Sequence, residues 1–182
     1  IGPGFGSDWP QQQIIATLIT KEDRPIILDA DGLNALSKLP SGQLELRAPV
    51  IMTPHVGEFK RLAESVGIKE ESADALAQAY GCIVVLKSET TEISDGVQTA
   101  RIKDGSVVLA TGGSGDVLTG IIAGILAQYG MDGVERLFDA AVLGVHIHAV
   151  AGEAFAQKNG NAGMLATDLL ERIPSAIATL RT

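Results

Sequence analysis

Short apolar runs alternate along this chain with longer segments whose apolar residues recur every three or four positions. That alternation predicts a parallel sheet covered by helices. Asp8 is placed to cap a helix running to about Thr20, with Ile14, Ile15, Leu18 and Ile19 along one side. Pro25 to Leu28 reads as a short buried strand. Gly32 to Leu39 reads as a helix that stops before Pro40, and Pro49 to Met52 as the next strand. Thr53 and Pro54 then open a helix to about Ser65, with proline near its first position. A helix over Ser72 to Tyr80 leads into a strongly β-branched strand, Ile83 to Leu86.

Beyond Leu86 the pattern changes to three short extended segments, Thr91 to Ile93, Thr99 to Ile102 and Val107 to Leu109. Asp95-Gly96 and Asp104-Gly105 separate them as hairpin turns would. A glycine-rich loop, Gly112 to Gly115, precedes a helix from Asp116 to about Gln128. A long helix covers about Val134 to Gln157, and a last one runs from near Thr167 or Asp168 towards Leu180. The expectation is a single α/β domain over residues 1–182, its mostly parallel sheet flanked by helices and extended by a small antiparallel element. The chain opens Ile1-Gly2-Pro3-Gly4-Phe5-Gly6. A glycine-rich turn of this kind normally follows a strand, and Ile1 alone precedes it. The reading is therefore a fold truncated at its N-terminal side, with a strand missing there.

Composition narrows the chemistry. A chain of 182 residues that is 46% hydrophobic can bury a sizeable core, and with aromatics at 4% that core must be aliphatic. A net charge of −8 argues against a nucleic-acid binder. It leaves room for a small anion, because backbone amides bind phosphate without net positive charge. The one cysteine, Cys82, rules out an internal disulfide, reads as inert core and fits a reducing, cytoplasmic setting. The longest apolar run, Val117 to Ala127, is broken by Thr119 and two glycines and is too short to cross a bilayer, so no membrane is expected.

The sharpest motif is Thr111-Gly112-Gly113-Ser114-Gly115-Asp116-Val117-Leu118-Thr119-Gly120. Glycines let successive amides turn inward, and the free N–H groups and dipole of the following helix favour an anion. Such a loop suits phosphoryl transfer, where charge stabilisation is most of the catalysis. Asp116 can take a proton from an attacking hydroxyl, or it can simply cap the helix. No Lys-Ser/Thr follows the glycines, so this is not the P-loop of the nucleoside triphosphatases. Gly120 and Gly124 are four apart on an apolar helix, which predicts close helix packing there. His146 and His148 point in different directions from one helix and read as structural.

Gly-x-Gly-Asp opening an apolar helix late in an α/β chain resembles the ribokinase superfamily. The wider set of motifs resembles one branch, the ADP- or ATP-dependent NAD(P)H-hydrate dehydratases. The matching segments are Gly2-Pro3-Gly4-Phe5-Gly6, Leu28-Asp29-Ala30-Asp31-Gly32-Leu33-Asn34, Thr53-Pro54-His55-Val56-Gly57-Glu58, Val85-Leu86-Lys87, the loop ending at Asp116 and, more weakly, His148-Ala149-Val150-Ala151-Gly152.

The resemblance implies a role for each motif. Asp116 would be the catalytic base and also touch substrate. Gly113, Ser114 and Gly115 would form the anion hole. Lys87, Ser88, Glu89, Thr90, Thr91 and Gly115 would bind nucleotide; where the family usually has glycine after the lysine, this chain has Ser88. Gly4, Gly6 and His55 would contact the hydrated nicotinamide nucleotide. Glu58 would help hold Mg²⁺, often through water, or else serve the dipole of its own helix. Asp29, Asp31 and Asn34 lie at another strand end, where they could face substrate or water-bound Mg²⁺; Asp31 could equally be a helix N-cap.

The implied reaction is ADP- or ATP-dependent dehydration of hydrated NADH and NADPH, with Mg²⁺ as cofactor and association of identical chains. Two other readings stay open: a kinase of the same fold acting on a thiazole or pyrimidine alcohol, and a non-catalytic nucleotide-binding module.

Overall fold

Strands β1 (Ile26–Leu28), β2 (Val50–Met52) and β3 (Ile83–Leu86) are apolar and buried at every position because helices cover both of their faces. The three pair in parallel, with Ile27 beside Ile51 and Ile51 beside Ile83. This computed structural model describes residues 1–40, 45–70, 72–103, 105–129 and 134–180. Successive strand side chains point to opposite faces. Ile26, Leu28, Val50, Met52, Val84 and Leu86 join one hydrophobic cluster. Ile27, Ile51, Ile83 and Val85 join the other.

The first cluster is closed by α1 (Trp9–Lys21), α2 (Asp31–Ser37), α3 (Val56–Ser65) and α4 (Ala73–Tyr80). α1 turns Ile15 and Ile19 inward and leaves Ile14 half exposed. The second is closed by α5 (Ser114–Tyr129) and α6 (Val134–Asn159), with α7 (Ala166–Leu170) and α8 (Ile173–Thr179) packed against α6. By length and composition α6 could cross a membrane, but 61% of its apolar window is buried, and here it is the core helix of this layer. Beyond β3, two antiparallel strands complete the sheet in the order β1-β2-β3-β4-β5: β4 (Thr91–Ser94) and β5 (Thr99–Ile102). At the other edge Ile1 bonds to the outer side of β1, giving its N–H to Ile27 O and accepting from Asp29 N, the pattern of a parallel neighbour.

Several expectations are corrected. Val107–Leu109 is a 3₁₀ turn rather than a third extended segment. Asp104, half of the second expected hairpin turn, lies outside the described residues. The Asp95-Gly96 turn spans residues 95–98 and is held by the Asp95 carboxylate, which accepts N–H bonds from Val97 and Gln98. The last helix is split, because Pro174 has no N–H to continue the ladder past Leu170. Asp8 occupies the N-cap position of α1 without a side-chain cap bond. Pro54 precedes the N-cap of α3 instead of opening the helix. Cys82 is buried as expected, and burial pushes its thiol well above the ordinary range.

The close approach of α5 and α6 is also made elsewhere than expected. A Cβ at Gly120 or Gly124 would meet nothing within 4 Å, whereas one at Gly144 on α6 would lie 2.5 Å from Ile122 Cγ1. Gly144→Val should therefore cost about 2–3 kcal/mol by overpacking. Gly124→Ala should stabilise by about 0.5–1 kcal/mol through helix propensity. Urea midpoints at unchanged slope check both; equal shifts would place the tight contact at neither position.

Candidate active site

Parallel strands deliver side chains from their C-terminal ends to one edge of the sheet. Asp29 follows β1, Thr53 follows β2 and Lys87 follows β3. A further parallel bridge sets His55 beside Lys87. Lys87 Nζ lies 2.8 Å from Asp29 Oδ1, and the Thr119 hydroxyl of α5 donates to Asp29 Oδ2 at 3.0 Å. Asp29 is 1% exposed. Burial is the largest single influence on its carboxyl and pushes it up. The Lys87 charge, together with hydrogen bonds from Lys87, Thr53 and Thr119, outweighs burial and holds the carboxyl below its ordinary value. Asp29 is thus committed to Lys87 rather than open to substrate or metal.

The glycine-rich loop rests against this pair. A Cβ on Gly115 would lie 3.1 Å from Lys87 Nζ and 3.8 Å from Asp29 Oδ2, so only glycine lets the lysine stand so close to the loop. Gly113 has φ +86°, the left-handed conformation that lets the chain turn into α5. The Thr111 hydroxyl donates to Met164 O at 3.1 Å and ties the loop to the segment before α7. The first N–H groups of a helix have no acceptor within it. Of these, Ser114 N turns back to Thr111 O at 3.2 Å. Gly115 N and Asp116 N have no acceptor of this kind. Of the three residues expected to line the anion hole, Ser114 has its amide already occupied.

Asp116 is the third residue of α5 and is exposed, one step on from Gly115. It is therefore not the N-cap. Ser114 and Gly115 line a cleft of about 620 Å³ that also takes in His55, Lys87, Ser88, Glu89 and Thr91. That volume suits a small-molecule ligand. Thr90 does not line the cleft; its carbonyl accepts the Ser88 hydroxyl at 2.6 Å. Among the described residues Ala30 alone combines positive φ with a side chain, so Ser88 stands where the backbone has no need of glycine. The far wall of the cleft is apolar, with Ile102, Leu109, Leu118 and Val145. Sequence reading missed these, because a core position and a cleft position carry the same apolar residues along the chain.

Gly2-Pro3-Gly4-Phe5 forms a tight turn closed by Phe5 N to Gly2 O at 2.9 Å, with φ +67° at Gly4. Asp31 is not an N-cap: Ala30 holds that place, and the Asp31 carboxylate accepts Gly6 N–H at 2.9 Å, fixing the turn. Ala30, with φ +48° and ψ −119°, is backbone strained by about 1–3 kcal/mol. Asn34 is taken by Arg61, whose Nε donates to its Oδ1 at 3.0 Å.

His55 caps α3. Its Nδ1 accepts from Gly57 N and Glu58 N, and Glu58 Oε2 accepts His55 N at 2.8 Å, a reciprocal capping box. Nδ1 therefore has no proton, and the proton on Nε2 lies towards Glu58 Oε1 at 3.5 Å. The ring remains 56% exposed. Glu58 is buried and serves its own helix. Among the described residues no three His, Cys, Asp or Glu side chains converge. Among the described residues Glu58 is thus not part of a protein cage for a metal. His148 is drawn into the site from α6, where it bonds to Ser114.

A family model described as NAD(P)H-hydrate dehydratase matches residues 1–175. The chain belongs to this family. It is 35% identical over 188 residues to the bifunctional NAD(P)H-hydrate repair enzyme Nnr of Thermofilum pendens, covering 100% of this chain and 35% of that one. With its counterpart in Coxiella burnetii it is 39% identical over 181 residues, covering 95% of this chain and 35% of that one. The Bacillus subtilis ADP/ATP-dependent NAD(P)H-hydrate dehydratase co-crystallized with ATP/Mg²⁺ superposes with a TM-score of 0.81 at 29% identity, covering 98% of this chain and 63% of that one. The chain thus spans about a third of these curated relatives and under two thirds of that dehydratase. A hydroxyethylthiazole kinase from Pyrococcus horikoshii shares the fold alone, with a TM-score of 0.57 and 16% identity.

A carboxyl whose folded pKa is lowered adds stability above its unfolded value of about 4, and that stability is lost as pH falls through the lowered value. The wild type should lose stability on acidification in this window. Asp29→Asn should lack that segment and start about 2–4 kcal/mol lower, because Lys87 is left without its counter-ion. Chemical denaturation at a series of acid pH values tests this. Parallel wild-type and variant curves would show that Asp29 is not held low by the fold.

Proposed function

We propose that this chain performs the ADP- or ATP-dependent dehydration of hydrated NADH and NADPH. The supporting observation is the start of α5. There Gly115 and Lys87 line a cleft bordered by His55, and the exposed Asp116 stands one residue past that lining. The cleft side of the loop, with Lys87 to Glu89 and Thr91, takes the nucleotide phosphates. Asp116, with His55 and the Gly4–Gly6 turn, serves the hydrated nicotinamide ring.

In this reading Asp116 removes the proton from the ring hydroxyl as its oxygen attacks the terminal phosphorus of ADP. The bond from that phosphorus to the bridging oxygen breaks, and AMP leaves with the electron pair. Amides of Gly115 and Asp116 meet the charge developing on the transferred group without reorganising, and Lys87 adds a fixed positive charge. Mg²⁺ would supply charge neutralisation for the phosphates, and Glu58, buried and turned to His55, would reach it only through water. The phosphate ester then leaves as inorganic phosphate while the neighbouring ring carbon loses a proton, which restores the double bond. With ATP the same step releases ADP.

The alcohol-kinase reading uses the same loop and base. Its support here is a likeness of fold, and fold does not carry function. Asp116→Asn should lower turnover about 10²–10⁴-fold while leaving ADP affinity in place. Recovery of NADH absorbance from its hydrate, in the presence of ADP and Mg²⁺, is the readout. Unchanged turnover would remove Asp116 as base, and phosphorylation of a thiazole alcohol with no NADH recovery would replace the dehydratase by a kinase.

A further inference from the structure

Of the three histidines, His148 alone is buried. The reaction described above gives it no part, yet it reaches the phosphate loop from another helix. Its Nε2 lies 2.9 Å from Ser114 Oγ and 3.0 Å from Ser114 O. A carbonyl oxygen can only accept, so the proton of this ring must sit on Nε2. Burial, helped by the positive charge of Lys87, holds the ring to a pKa of about 4 in spite of the carbonyl that favours its charged form. At neutral pH the ring therefore has one proton, and Ser114 receives it.

This has a consequence for the serine. With Nε2 acting as donor, the Ser114 hydroxyl cannot give its own proton to that nitrogen. The Ser114 amide is already bonded to Thr111 O. The hydroxyl proton is the donor that remains to this residue, which is 2% exposed and lines the cleft beside Gly115. A hydroxyl there adds a third donor to the amides of Gly115 and Asp116.

We propose that His148 is a positioning residue that holds Ser114 with its hydroxyl proton free, and that Ser114 Oγ–H donates to a phosphate oxygen of the bound nucleoside diphosphate or triphosphate. The inference rests on the nucleotide half of the function proposed above. It differs from a purely structural histidine, which would brace α5 against α6 and leave ligand affinity alone.

The test uses the intact protein, ADP binding by calorimetry and the split between KM and kcat in NADH recovery. A lost hydrogen bond to a charged group is worth about ten- to a hundred-fold in affinity. Ser114→Ala should weaken ADP by that factor with little change in melting temperature. His148→Phe should weaken ADP similarly, and His148→Gln, which keeps an N–H donor, should recover part of the loss. The double variant Ser114→Ala with His148→Phe should bind no worse than Ser114→Ala alone, because both act through one hydroxyl. ADP affinity unmoved in Ser114→Ala overturns the inference, as does a His148→Phe protein that melts lower yet binds ADP normally. If His148→Phe does not fold, Ser114→Ala alone decides. A protein that follows this binding pattern but restores no NADH keeps the inference and removes the dehydratase reading. A protein that repairs the hydrate with Ser114→Ala binding ADP as the wild type does removes only the inference.

Discussion

One buried ion pair organises this molecule. Asp29 and Lys87 come from strands that are not neighbours, β1 and β3, and they meet only because β2 holds the sheet in register between them. Thr119 fastens α5 to the same carboxylate. The pair therefore joins the sheet edge to the helix whose first turn faces the cleft. Two charges taken out of water gain little net stability over apolar residues of the same size. What the pair does provide is position: an ammonium kept beside Gly115.

The layered core serves the same end. Because each parallel strand is covered on both faces, its loops emerge at one edge and cannot shift by a residue without turning both clusters inside out. Motifs far apart in the chain, at residues 2–6, 29–31, 53–58, 87–91 and 111–116, are gathered along that edge or close to it. Family membership agrees with this arrangement, since the match runs through residues 1–175 and so through every one of these segments.

Much of this was legible beforehand. Three parallel strands, the helices between them and the glycine-rich loop follow from apolar runs, β-branched stretches and turn residues. Legibility failed where the decisive neighbour was remote in sequence. Asp31 looked like a cap, and nothing local showed that Gly6 would take its carboxylate. Gly120 and Gly124 had the spacing of a helix contact, but they face away from one, and the contact falls at Gly144 because α6 crosses there. Val107–Leu109 is apolar enough for a strand, yet residues 99–102 already fill the edge beside β4. Thr53 and Thr119 carried a readable signal, a hydroxyl that ends one apolar run and a hydroxyl that interrupts another, and their shared neighbour Asp29 explains them. His148 was read as structural from its spacing to His146, an inference about one helix that could not include Ser114 on another.

The strained peptide at Ala30 separates two carboxylates with different duties. Asp29 looks towards the lysine and the loop, while Asp31 grips the glycine turn. A left-handed residue between them sends the two side chains to opposite clients, so the lysine and the glycine turn both hang from three consecutive residues. Any tilt of this short hinge moves both grips together, so the lysine and the glycine turn share a single mechanical reference point.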